Sequence, residues 1–312
     1  MILCCGEALI DMIPEQLADG RTGFVPHAGG AIFNTTIALG RLGGNAGMLT
    51  GLSTDLFGQQ LLTELQASNV DTSTIVRSER NTTLAFVHLS DGQATYDFFD
   101  ENSAGRMLLP ENIPEISADV SAIYFGGISL ACEPCADTYA DLLLRKAPDC
   151  AIMLDPNIRP AFIQDEARYR ARMATIIAEC DIVKVSDDDL GWMTGDTGGG
   201  LRDQADQMLA QGVSLVIVTQ GAKGATAFHV EGFEVSVPAA PVRAVDTVGA
   251  GDTFNAGLMA QLTNGGDLTK AGIRALTPDK VRAALEFGAK VAAVTVSRAG
   301  ANPPWAAELS DT

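Results

Sequence analysis

The sequence predicts an α/β fold on a mostly parallel sheet covered on both faces, and three observations predict it. Short continuous runs of apolar, β-branched residues recur, each is followed by helical apolar spacing, and each ends in polar residues. Ala151-Ile152-Met153-Leu154 reads as a buried strand, with a helix after it over about 165–180. Ile182-Val183-Lys184-Val185 is the next strand, followed by a short helix around Asp187–Thr194. Leu201–Gln211 carries Leu201, Ala205, Met208 and Leu209 at helical spacing and leads into the strand Ser214-Leu215-Val216-Ile217-Val218. Open parallel sheets bind ligands beyond the carboxyl ends of their strands. Asp155-Pro156-Asn157-Ile158-Arg159, Lys184 to Asp189 and Thr219-Gln220-Gly221 stand at those ends and suggest one shared cleft, although each alone reads as a solvated turn.

Two stretches break this rhythm. Thr82–Ser90 and Gln93–Asp100 are strand-like and are separated by Asp91-Gly92, a hairpin signal. In the second, Tyr96 and Phe98 alternate with Thr95, Asp97 and Phe99, so one face suits an apolar or aromatic neighbour. With 9–25 they predict a small sheet outside the main one, read as a lid over the cleft; a plain edge hairpin fits the pattern equally. With no internal repeat or linker, the chain reads as one domain over 1–312, its lid formed from about 9–25 and 81–103.

At 312 residues the chain is long enough to bury roughly three-quarters of its unfolded surface without disulfide or metal. Its 21 basic against 39 acidic residues leave a net charge of −18, which opposes nucleic acid or an acidic membrane as main partner. A small anion is still accommodated by a local loop of backbone N–H groups. No apolar run approaches the ~18 residues of a membrane span. The start, Met1 to Glu7, lacks a basic leader region and acids stand at Glu7 and Asp11, so a cytoplasmic location is expected. Cys132-Glu133-Pro134-Cys135 has CxxC spacing, but there is no second such pair and His27, His88 and His229 are scattered, which reads as reduced structural thiols.

The segment Asp246-Thr247-Val248-Gly249-Ala250-Gly251-Asp252-Thr253-Phe254-Asn255-Ala256-Gly257 carries the most chemistry. Its small residues open a helical pattern through Leu258 and Leu262, exposing unpaired N–H groups at a helix N-terminus suited to phosphate. Asp252 beside such an anion hole makes sense when it takes a proton from an incoming hydroxyl, which describes phosphoryl transfer. An Asp capping an ordinary helix fits this turn equally well. Neither GxGxxG nor GxxxxGK[ST] is present, which argues against a dinucleotide fingerprint and a Walker-type loop. A second turn, Gly29-Gly30, leads into a helix with Ile37, Leu39 and Leu42, placing Asn34 in its first turn. There a neutral amide suits hydroxyl recognition, or simply caps the helix.

These two stretches resemble the N- and C-terminal signatures of the phosphofructokinase-B (ribokinase-like) carbohydrate kinases, and matching features run from Gly6-Glu7 to Gly300. The resemblance implies a three-layer α/β/α ribokinase-like fold with a mostly parallel central sheet, a small β-sheet lid, and ATP-dependent transfer of phosphate to a sugar hydroxyl. It implies Asp252 as catalytic base, the backbone of Gly249, Ala250 and Gly251 as anion hole, and Arg159 reaching the transferring phosphate or the sugar. Asp11, Gly29, Gly30 and Asn34 would bind sugar hydroxyls. Thr219, Gly221 and Gly224 would form the nucleotide-binding turn, with Lys184 and Ser186 near the nucleotide phosphates. Many relatives carry Asn-x-x-Glu where this chain has Ser186-Asp187-Asp188-Asp189, so Asp189 would serve Mg2+ through water. Asp246 and Val248 would be two ligands of a monovalent cation such as K+.

Within the family, Gly6-Glu7-Ala8-Leu9-Ile10-Asp11, Phe125–Leu130 with Glu133-Pro134, and Asp155–Arg159 are most similar to the fructokinase branch. That branch converts fructose and ATP to fructose 6-phosphate and ADP. The 2-keto-3-deoxygluconate kinases share these segments loosely, with ribokinases or nucleoside kinases behind them. A catalytically silent sugar or nucleotide sensor is the competing class, and an intact Asp252 beside an intact Gly-Ala-Gly speaks against it. The partners expected are a sugar and ATP, and an exposed lid sheet could pair with a second copy to make a homodimer.

Overall fold

The computed structural model describes residues 1–90, 93–195 and 199–309. The chain opens with β1 (Ile2–Cys5), β2 (Leu9–Gln16) and β3 (Thr22–Gly29), then enters α1 (Ala31–Arg41). Strands β4 (Ala46–Leu49) and β5 (Gly51–Ser53), helix α2 (Leu56–Ala67) and β6 (Val76–Ser78) lead to β7 (Leu84–Ser90) and β8 (Gln93–Phe99). The alternating part follows as β9 (Ala122–Gly126), α3 (Cys135–Lys146), β10 (Ala151–Asp155), α4 (Glu166–Ile177), β11 (Ile182–Ser186), α5 (Asp187–Thr194), α6 (Leu201–Leu209) and β12 (Leu215–Thr219). Strands β13 (Ala225–His229) and β14 (Glu234–Val237) precede α7 (Ala250–Asn264), α8 (Lys270–Arg274) and α9 (Pro278–Val296).

Eight strands form the central sheet in the order β14-β13-β12-β11-β10-β9-β1-β4. All pairs from β4 to β12 are parallel, as the continuous apolar strands require. The edge departs from the parallel pattern: β12–β13 and β13–β14 are antiparallel, because short turns and no crossover helix join them. Alternation along each strand sorts the interior into two cores. Cys4, Met48, Tyr124, Met153, Ile182 and Ile217 point toward α1, α2, α7, α8 and α9. Cys5, Leu49, Phe125, Leu154, Val183 and Val218 point toward α3, α4, α5 and α6. The result is a three-layer α/β/α fold of the ribokinase-like kind. The six cysteines are buried and unpaired, as expected of structural thiols.

A separate four-stranded sheet runs β3-β2-β7-β8. Its first hairpin reaches past residue 25 to Gly29, because Leu9 pairs with Gly29 and the ladder continues without a break to Gln16 opposite Thr22. Pro26 is tolerated because β3 is an edge strand with one side unpaired. Strands β7 and β8 pair antiparallel, as a hairpin demands; the Asp91-Gly92 turn between them lies outside the described residues. Tyr96 and Phe98 stack at 5.8 Å, and Phe98 meets Phe162 edge-on at 4.4 Å, so this sheet rests on the segment after β10. On the opposite face Phe24, Phe86 and Phe99 form an edge-to-face row at 5.0 and 5.5 Å.

Candidate active site

Helix α7 starts where the chain needs a left-handed residue: Gly249 has φ 76° and is its N-cap. The amide of Ala250 is tied to the Thr247 carbonyl at 3.3 Å, whereas among the described residues those of Gly249, Gly251 and Asp252 have no acceptor. These free donors, with the positive end of the 15-residue helix behind them, make an anion site. Asp246 braces the approach to it: one carboxylate oxygen accepts from Val248 N at 3.0 Å and the other from Gly300 N at 2.9 Å.

Asp252 stands in the first turn of α7, only 9% exposed. It is no helix cap; its Oδ2 accepts from Asn34 Nδ2 at 2.9 Å, and its own carbonyl accepts from Thr35 Oγ1 at 3.0 Å. Helix α1 thus grips α7 at the carboxylate. Burial pushes the Asp252 carboxyl up to about 7; the Asn34 hydrogen bond and Lys184 pull it down, while Asp155 and Glu7 push it further up. A carboxylate poised near neutrality is suited to proton transfer.

Lys184 lies behind this turn. Its Nζ donates to Asp155 Oδ2 at 2.9 Å, the two side chains being 6% and 3% exposed, and it stands 3.2 Å from where a Cβ on Gly251 would be. Asn255 donates to the same Asp155 oxygen at 2.7 Å and to the Tyr124 hydroxyl at 3.0 Å. The sequence placed Asp155 at the cleft but gave it no role, and Asn255 was not expected in the site. They sit on β10 and α7, and only the adjacency of β10 with β11 beneath the helix brings them to Lys184. The apolar strands that carry Asp155 and Lys184 near their carboxyl ends are the one sequence signal that could have found the pair.

On the acceptor side, the Asp11 carboxylate packs against Gly29 where a side chain would stand, and burial pushes it up to about 6. Gly30 is the N-cap of α1 with φ 104°, and its carbonyl accepts from Asn34 N at 2.8 Å. Half-buried Glu7, also not anticipated, accepts from the amides of Ala31 and Ser129 at 3.2 and 3.3 Å and so fixes the start of α1; desolvation raises its carboxyl. Burial, and after it the charges of Asp11 and Asp246 against that of Arg159, raises the hydroxyl of Tyr96 on β8. Arg159 is exposed, donates to the carbonyls of Asn157 and Ile158, and has no carboxylate partner among the described residues. Its guanidinium is therefore not consumed in a surface ion pair.

A cavity of about 520 Å3 adjoins the α7 turn, lined by Thr219, Gly221, Gly224, Ala250, Gly251 and Phe254 among others. Its walls are mostly Ala, Pro and Val, a surface for a flat heteroaromatic ring. Lys184 and Ser186 do not line it. Ser186 is the N-cap of α5, its hydroxyl accepting from Asp189 N at 3.0 Å. Among the described residues no group of three His, Cys, Asp or Glu could cage a metal. Asp189 is one oxygen donor that a divalent ion alongside bound phosphates would need; its carboxyl is raised first by burial and then by Asp155. The Asp246 carboxylate and the Val248 carbonyl, which accepts no hydrogen bond among the described residues, are hard oxygen donors of the kind a monovalent cation takes.

A buried carboxylate beside free amides at a helix start suits a sugar phosphotransferase. The chain belongs to the pfkB family of carbohydrate kinases: residues 1–308 match the family model described as pfkB family carbohydrate kinase. It is 48% identical over 286 residues to a fructokinase of Rhizobium leguminosarum bv. trifolii, covering 90% of this chain and 86% of that protein. Fructokinase-2 of Oryza sativa subsp. japonica is 32% identical over 317 residues, 97% of this chain and 90% of that one. The crystal structure of a fructokinase with bound ATP from Xylella fastidiosa superposes with a TM-score of 0.90 at 28% identity, covering 99% of this chain and 97% of that one.

Proposed function

We propose that the protein is a fructokinase, transferring the γ-phosphoryl group of ATP to a hydroxyl of fructose to give fructose 6-phosphate and ADP. The observation that carries this reading is the buried Asp252 carboxylate held by Asn34 beside unpaired α7 amides. The acceptor oxygen attacks the γ-phosphorus, the bond from that phosphorus to the ADP oxygen breaks, and the hydroxyl proton passes to Asp252. The amides of Gly249, Gly251 and Asp252 carry the charge of the transferred group, with Arg159 approaching from the opposite wall. Ala250 contributes its place in the turn and not its amide, which is already engaged.

Asp11, Gly29, Gly30 and Asn34 hold the sugar, and the carboxylate of Asp11 disfavours an acidic sugar such as 2-keto-3-deoxygluconate. Adenosine occupies the apolar cavity bounded by Thr219, Gly221 and Gly224, with its phosphates toward Lys184 and the start of α5 at Ser186. Asp189 would hold Mg2+ through water, where the ion would offset phosphate charge, and Asp246 and the Val248 carbonyl would hold K+, which would stiffen the turn. A coupled ADP-release assay over fructose, 2-keto-3-deoxygluconate, ribose and a nucleoside tests this. Fructose is expected to show the highest kcat/KM; a higher value for another sugar, or ATP binding with no ADP release from any, defeats the reading.

Because Asp252 must be ionised to accept a proton, kcat/KM is expected to rise about tenfold per pH unit up to about 7 and then level. Asp11, at about 6, ionises within the same limb. A flat profile from about pH 5.5 to 7 would remove Asp252 from the base role.

The small sheet acts as a lid that excludes water from the phosphoryl group. Its outer aromatic row, with Phe24 41% and Phe99 59% exposed, supports a homodimer in which two lids face each other. Sedimentation is expected to show a dimer that Phe99→Glu converts to monomer; a monomeric parent at micromolar concentration counts against it. Six buried reduced thiols and the absence, among the described residues, of a helix long and apolar enough to cross a membrane support a cytoplasmic site of action.

A further inference from the structure

We propose that Asp155 is a positioning residue for phosphoryl transfer: through Lys184 it fixes one positive charge behind the Gly251 turn, where that charge serves both the transferred group and the Asp252 carboxylate. The inference rests on the reading of Asp252 as base.

A buried ion pair is costly to desolvate, so one under the site's central turn calls for a reason. The ammonium of Lys184 has three donors; one meets Asp155, and among the described residues the other two meet nothing. The same helix that carries Asp252 supplies Asn255, whose amide N–H groups go to Asp155 and Tyr124. Its Oδ1 is buried without a partner. Asp155 Oδ2 thus takes two hydrogen bonds, from β11 and from α7, and locks the lysine at one distance from the helix start. Donors left over on a locked, buried cation beside free backbone amides are what an anion-transferring site requires.

The groups facing Asp252 act in opposite senses. Lys184 lowers its carboxyl, whereas Asp155 and Glu7 raise it, and Tyr124, itself raised by burial and by both aspartates, adds no charge near neutrality. Removing Lys184 or Asp155 therefore shifts Asp252 in opposite directions, which a pair remote from the carboxylate would not do.

The test is the pH profile of kcat/KM for the full chain with ATP and fructose. In Lys184→Met the acid limb is expected to move up by about one pH unit, and in Asp155→Asn down by a similar amount. In both, kcat falls at least about tenfold while the KM for sugar stays within about threefold. Should either single variant fail to fold by circular dichroism, the double variant Asp155→Asn/Lys184→Met leaves no unpaired charge. It is then expected to fold and to lose kcat by the same factor; parental kcat in the double overturns the proposal. Asp252→Asn is assayed alongside. If it is inactive but the limbs of the two single variants coincide with the parent's, the proposal falls alone. If Asp252→Asn retains turnover, the base reading falls and takes the proposal with it.

Discussion

Asp252→Asn is expected to lower kcat by about 10²–10⁴-fold while leaving the fold and nucleotide binding in place. The amide is isosteric, and its carbonyl oxygen can still accept from Asn34 Nδ2, so the grip of α1 on α7 survives. What disappears is the carboxylate proposed to take the hydroxyl proton. The sign of the stability change follows from the same burial. A carboxyl raised to about 7 disfavours its own ionised form in the folded protein, so it detracts from stability above that pH and not below the unfolded value. The Asn variant is therefore expected to melt at the same or higher temperature than the parent at pH 8, with nucleotide affinity by calorimetry within a few-fold. Turnover within tenfold of the parent would show that another group takes the proton.

The second large effect is expected at Gly249. Alanine there would hold φ near 76°, at about 1–2 kcal/mol for an L-residue. Its Cβ would also stand 2.7 Å from the Cβ of Ala301, in a loop tied back by the Asp246 bond to Gly300. The turn has to shift, and with it the amides of Gly249, Gly251 and Asp252. Losing the aim of such donors costs about 10²–10³-fold in kcat. Steady-state kinetics paired with thermal melting checks this; kcat within threefold of the parent would mean that these amides do not hold the transferred group.

Local signals were readable and distant ones were not. The strands ending at Asp155, Ser186 and Thr219 were legible because apolar runs and helical spacing alternate within a few residues, and the small sheet because two strand-like runs flank Asp91-Gly92. The antiparallel edge β13–β14 escaped notice because five- and four-residue strands carry little periodicity. The Gly249–Asp252 turn was legible as a helix start of small residues with an acid in its first turn, because all of that signal lies within one helical turn. The Asp155–Lys184–Asn255 cluster could not, since its members lie 29 and 100 positions from Asp155 and meet only when β10, β11 and α7 stack. Glu7 was hidden for the same reason: its two amide donors belong to α1 and to the turn after β9.

The edge-on contact of Phe98 with Phe162 ties two walls of the cleft into one mechanism. Phe162 closes the short turn that begins just after Arg159, so a small sheet that moved as the proposed lid would pull on the segment bearing the guanidinium. On that reading, a bulky ligand that holds the small sheet away from Phe162 is expected to slow turnover without weakening nucleotide binding, which steady-state kinetics beside calorimetry would check.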